Sequence, residues 1–101
     1  MFIKKYYNNY INQLNTLLNQ VDTELIEQSV KIIKKKIKSK SKIYLVGNGG
    51  SSSIANHVSV DFTKSAGIKS LTFNNSNLIT CFANDYGHEN WVTQAIKAYC
   101  S

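Results

Sequence analysis

Apolar residues recur at two different periods along this chain. Ile3, Tyr7, Tyr10, Leu14, Leu17 and Val21 stand alternately four and three residues apart, and Tyr6, Ile11 and Leu18 widen the stripe. That spacing returns to one side of an α-helix and predicts a long helix over residues 1–21. So broad an apolar face needs a cover, either copies of the same helix, whose seam has coiled-coil spacing, or the core of its own domain. A second helix is expected after Asp22 or Thr23, either of which can cap it, with Ile26, Val30, Ile33 and Ile37 on one side and an end by Ser39.

The pattern then shortens. Ile43–Val46 is an apolar, β-branched and aromatic run that stops at Gly47, Gly49 and Gly50, and Ser51, Ser52 and Ser53 open a helical period in which Ile54, Val58 and Phe62 share one face. His57, Asp61 and Ser65 line up beside that face. Ser70–Phe73 is a second strand, and Asn74–Asn77 is a turn and cap before the apolar residues 78–83. Asn84–Gly87 is expected to break the pattern, and a final helix over Trp91–Tyr99 has Trp91, Ala95, Ala98 and Tyr99 on its apolar side. Two strands separated by helices predict an α/β fold with a parallel sheet, which needs helices on both faces and further strands. Residues 1–39 therefore read as a helical segment for packing and oligomerisation, and residues 40–101 as the first half of a domain, apparently truncated.

Composition sharpens this only in part. At 101 residues the chain suits at most one domain, and it has neither an apolar run near the ~20 residues of a membrane span nor a signal-peptide pattern, so a cytoplasmic protein without a membrane partner is expected. Cys81 and Cys100 form no metal-type pair or disulfide framework and are expected as reduced thiols. The formal charge is +6, and seven of the twelve lysines fall between Lys31 and Lys42. A nucleic-acid patch would use such a cluster. This one contains no arginine and no aromatic residue, and Ile33 and Ile37 place its lysines on the solvated side of an amphipathic helix, so no nucleic-acid partner is expected.

The chemistry concentrates around the glycines. A strand, a glycine loop and a helix start together make an anion site, because glycine lets a ligand approach the backbone while the first helical N–H groups and the helix dipole favour negative charge. The dinucleotide fingerprint fails, with Ser52 in place of its third glycine, and the P-loop Gly-Lys-Ser/Thr is absent. The serines can cap the helix or add donors, and the alternative to a phosphate site is a tight turn alone. His57 and Asp61, one turn apart, can offer a nitrogen and an oxygen to one metal ion such as zinc, or simply to each other.

Val46-Gly47-Asn48-Gly49-Gly50-Ser51, His57 with an acid four residues later, and Ala83-Asn84-Asp85-Tyr86-Gly87 resemble, at their mutual spacing, the SIS-domain (sugar isomerase) phosphoheptose isomerases. The resemblance covers essentially the whole chain. It implies a three-layer α/β/α domain with a parallel sheet, preceded by a long N-terminal helix, and a homotetramer. It also implies an aldose–ketose isomerase that converts sedoheptulose 7-phosphate to D-glycero-D-manno-heptose 7-phosphate, a lipopolysaccharide precursor. By the same resemblance Asn48, Gly49, Gly50, Asn84 and Asp85 touch the substrate, Ser51 lies next to the phosphate, His57 and Asp61 bind zinc, and Asp61 is also the catalytic base. The family acid is usually glutamate, one methylene longer than Asp61. The family's later phosphate loop and its glutamine and histidine have no counterpart within these residues, so the 101-residue chain is not expected to act alone. The competing expectation is a non-catalytic SIS-domain protein that binds sugar phosphates or a replication initiator; it has no use for a histidine–acid pair.

Overall fold

The computed structural model describes residues 1–100. The chain divides into two compact units, Met1–Lys34 and Lys35–Ser101. The first holds helix α1 (Phe2–Asn19) and most of α2 (Thr23–Lys38). Both helices form where the apolar period places them, and neither has a buried residue. α1 stops before Val21, the last member of the expected seam, where the N–H groups of Gln20 and Val21 close its end on the carbonyls of Leu17 and Leu18. Asp22 caps α2 as expected, its Oδ1 accepting from the N–H groups of Glu24 at 2.9 Å and Leu25 at 3.3 Å. The far end of α2 is closed by bonds from Lys40 N–H to Ile37 O and from Ser41 N–H to Lys36 O. Those two bonds form a Schellman turn, and they put Lys40 at φ +58°, where glycine usually stands.

The second unit is built on two parallel strands, β1 (Ile43–Leu45) and β2 (Ser70–Thr72), in the register Ile43 to Ser70, Tyr44 to Leu71 and Leu45 to Thr72. Helix α3 (Gly50–Ser65) is the crossover between them and packs on both strands. Its buried residues are the small Ala55 and Ser59, one position round from the apolar face of Ile54, Val58 and Phe62. Val58 and Phe62 are half-buried and Ile54 is 66% exposed. Small residues let a helix approach a sheet closely, and that close approach decides the face here more than hydrophobic size does.

Side chains alternate along a strand, so Tyr44, Val46, Leu71 and Phe73 share the other side of the ladder. There Phe73 meets Trp91 and Ala95 of α5 (Trp91–Tyr99), with Leu78, Ile79, Phe82 and Ala83 of α4 (Ser76–Tyr86) around them. Trp91 at 1% exposure and Ala95 at 0% are the centre of this core, as their spacing predicts. Ala98 and Tyr99 lie outside it: both are exposed, although the Tyr99 ring still stands 5.8 Å from that of Phe73. α4 corrects a second expectation, because it does not break at Asn84. Asn75 caps its start by accepting from the N–H groups of Asn77 and Leu78, and the helix runs through Asn84 and Asp85 to end at Gly87, φ +88°. The described residues thus hold a parallel two-stranded sheet with helices around it and a helical N-terminal segment. None of their helices is long and apolar enough to cross a membrane.

Candidate functional site

The loop between β1 and α3 is shaped by two glycines for two different reasons. A Cβ on Gly47 would overlap the Ser51 carbonyl group and stand 2.8 Å from the Ser52 nitrogen, so only a residue without a side chain lets the strand end lie against the first turn of the helix. Gly49 is the N-cap of α3 at φ 56° and ψ −126°, a conformation that side chains resist. Gly50 needs neither concession: space for a Cβ is open there. Asn48, Gly49, Gly50 and Ser51 are all exposed, so the rim of this turn is open to a ligand.

Ser51, Ser52 and Ser53 do not cap the helix. They lie within its first turn, and the cap residue, Gly49, has no side chain to offer. Ser51 N–H donates to Asn48 O at 3.0 Å and Ser52 N–H to Gly49 O at 3.1 Å, while the Ser52 hydroxyl donates to the same Gly49 carbonyl at 2.7 Å. Those bonds tighten the turn. A ligand would meet the exposed Ser51 hydroxyl together with the positive end of a 16-residue helix.

Two turns further along α3, His57 Nε2 lies 3.3 Å from Asp61 Oδ2, with the side chains 80% and 55% exposed. The sequence prediction that these two meet across one turn holds. Their separation also suits a metal: ligands at about 2.0–2.1 Å from a tetrahedral zinc stand about 3.3–3.4 Å apart. The pair would supply one edge of such a site. Among the described residues no group of three or more His, Cys, Asp or Glu side chains gathers to complete it.

Asn84 and Asp85 sit in the last turn of α4 and are exposed. Asn84 Nδ2 donates to Asp85 Oδ1 at 3.2 Å, and the Cys81 thiol reaches Asp85 Oδ2 at 3.6 Å. The Asp85 carboxylate beside it pushes the Cys81 thiol above its ordinary value, with lesser contributions from burial and the hydrogen bond. Neither Asn84 nor Asp85 is hydrogen-bonded to the glycine loop or to the His57–Asp61 pair among the described residues.

The link that sequence reasoning missed is Asn74, read there as part of a turn. Its Nδ2 donates to Ser52 O at 3.2 Å and to Asn56 Oδ1 at 3.0 Å, joining the end of β2 to the start of α3. Its own Oδ1 is buried without a partner among the described residues, as is the Ser70 hydroxyl; such an atom costs about 1–3 kcal/mol. No local pattern marks Asn74 among four polar residues in a row, because its partners lie 22 and 18 residues away.

Comparison with known proteins now bears on these groups. The SIS-domain family profile matches residues 6–92, which include the glycine loop, the His57–Asp61 pair and the Asn84–Asp85 turn. Phosphoheptose isomerase 2 of Campylobacter jejuni subsp. jejuni serotype O:2 is 33% identical over 70 residues, a match that covers 63% of this chain. The chain spans only 35% of that relative's length. With the family profile matched over most of its residues, the chain belongs to the SIS-domain family.

Proposed function

We propose that this chain is the N-terminal part of a sugar-phosphate isomerase of the phosphoheptose type, with sedoheptulose 7-phosphate as its substrate and a homotetramer as its assembly. The observation that carries this reading is the placement, on one helix, of an open glycine turn at the N-terminus and a histidine–carboxylate pair 3.3 Å apart two turns later. An aldose–ketose isomerase needs an anchor for the phosphate, a base above the carbon that loses its proton and a group that steadies charge on oxygen. Asn48, Gly49, Gly50 and Ser51 supply the anchor, and Asn84 and Asp85 hold substrate hydroxyls. Asp61 takes the proton from one carbon and returns it to its neighbour. His57 and Asp61 would hold a zinc ion, with the remaining ligands coming from outside the described residues. When bound, zinc supplies Lewis-acid polarisation of the carbonyl oxygen. A three-layered α/β/α sheet completed by further strands belongs to the same reading.

The test is solvent exchange. In the protein that carries this segment, sedoheptulose 7-phosphate should take up deuterium from D₂O at the carbon next to its carbonyl. Asp61→Asn should abolish that exchange while phosphate binding persists, and His57→Ala should lower zinc content and turnover together. Asp61→Glu distinguishes a site that still runs with the family acid, whose rate rises, from a pocket rebuilt around aspartate, whose rate falls. Absence of exchange in the wild type across ketose and aldose phosphates, with zinc supplied, would sink the enzyme in favour of a non-catalytic sugar-phosphate-binding or interaction protein. Asp61 in place of glutamate is the observation that keeps this second reading alive.

A further inference from the structure

Among the described residues the two halves of the candidate site share no hydrogen bond, yet they are fixed to two consecutive residues, one to each. Asn74 holds α3 through Ser52 O and Asn56 Oδ1, and Asn75 holds the start of α4 through the N–H groups of Asn77 and Leu78. Neither anchor on α3 is remote from the candidate chemistry. Ser52 belongs to the turn that closes twice on the Gly49 carbonyl, and Asn56 directly precedes His57. At the other end, α4 carries Asn84 and Asp85 in its last turn.

We propose that Asn74 is a positioning residue for ligand binding: its amide sets the glycine loop and the His57 segment of α3 in register with α4, so that phosphate and hydroxyl contacts converge on one ligand. The chemistry of the amide is specific. A carbonyl can only accept, so Ser52 O demands a donor, and one NH₂ group supplies both of the bonds observed. Aspartate would present only acceptors to two acceptors, and alanine would present nothing. The buried Asn74 Oδ1 has no partner among the described residues, a cost that the two bonds from its Nδ2 offset.

The inference rests on the sugar-phosphate reading for its ligand only, and two measurements on the full chain separate them. Amide hydrogen exchange followed by NMR in Asn74→Ala should quicken about tenfold at Ser51 and Ser52 but not at Ala95 in the core, because one or two hydrogen bonds of local stability are lost. Titration with sedoheptulose 7-phosphate should show affinity falling about tenfold as well, and Asn74→Asp should fall further. Asn56→Ala removes one acceptor at an exposed position and should give a smaller step of about threefold in both readouts. Equal quickening at Ser52 and Ala95 would reduce Asn74 to a general stabiliser and overturn the inference. So would unchanged affinity in Asn74→Ala beside a wild type that binds. Selective quickening with a wild type that binds no sugar phosphate would uphold the tie and overturn the sugar-phosphate reading instead. If Asn74→Ala does not fold, Asn56→Ala decides, and no selective change at Ser51 and Ser52 in that variant overturns the inference.

Discussion

At Gly47 a methyl group would meet the Ser51 carbonyl, at Gly49 it would meet only its own backbone torsions, and at Gly50 it would meet nothing. These differences give a graded expectation for alanine and valine substitutions. Gly47→Ala should lower stability by about 1–3 kcal/mol through overpacking, read as a drop in melting temperature, while Gly50→Ala should leave the melt unchanged. Gly49→Val should cost about 1–3 kcal/mol in backbone strain and weaken sugar-phosphate binding well before it unfolds the protein. If affinity survives that bulk, the loop is a turn and not an anion site. Cys81 gives a second expectation. Because the Asp85 carboxylate raises the thiol's pKa, the exposed sulfur is a poor nucleophile near neutral pH. Asp85→Asn should lower that pKa, move the pH profile of iodoacetamide alkylation to lower pH and speed the reaction at pH 8. An unchanged profile would mean that the carboxylate does not control the thiol. At this scale the sequence was legible wherever partners are close in the chain. The His57–Asp61 contact follows from helical spacing alone, whereas the donation from Asn74 to Ser52 depends on how a strand end and a helix start meet in space.

Helix ends tell a similar story. Asp22, one of two cap candidates, and Asn75, within the stretch 74–77 read as turn and cap, both cap their helices, since a short polar side chain before an apolar period is a local signal. Asn75→Ala should cost about 1 kcal/mol of stability, measured by denaturant unfolding, and should act on α4 first. Lys40→Gly should do the reverse and stabilise by up to about 1 kcal/mol, because lysine at φ +58° occupies a position that glycine takes without strain. A lower midpoint for Lys40→Gly would show that the lysine makes a compensating contact. What misled at this scale was the assumption that turn-forming residues end helices. Asn84 and Asp85 continue α4 because its inner face, Leu78, Ile79, Phe82 and Ala83, is already committed to the core around Phe73 and Trp91, and Gly87 is the first residue free to turn the chain. On α3 the hydrophobic period groups Ile54, Val58 and Phe62, but burial is deepest beside them, at the small Ala55 and Ser59, and Ile54 is left exposed.

For the whole chain, the parallel sheet and the helical N-terminal segment were legible, and the membership of a family was legible from three short motifs taken together. Phe2, Ile3, Tyr6, Tyr7, Tyr10, Leu14, Leu17 and Leu18 of α1 are all exposed, and exposed apolar stripes of this length are usually covered by a partner. Replacing Tyr10 and Leu14 by Glu should shift sedimentation from an oligomer towards the monomer, and an unchanged sedimentation coefficient would refute the seam. The ladder between β1 and β2 has a consequence of another kind, for the order in which the chain folds. Ile43 cannot find Ser70 until everything between them has been gathered in, and closing a long flexible segment is slow because its entropy is lost before any bond rewards it. α3 occupies most of that segment and can form from local contacts within microseconds. A chain emerging from the ribosome would therefore coil α3 first and zip its strands second, so the helix that carries the candidate chemistry is also the spacer that brings the sheet together.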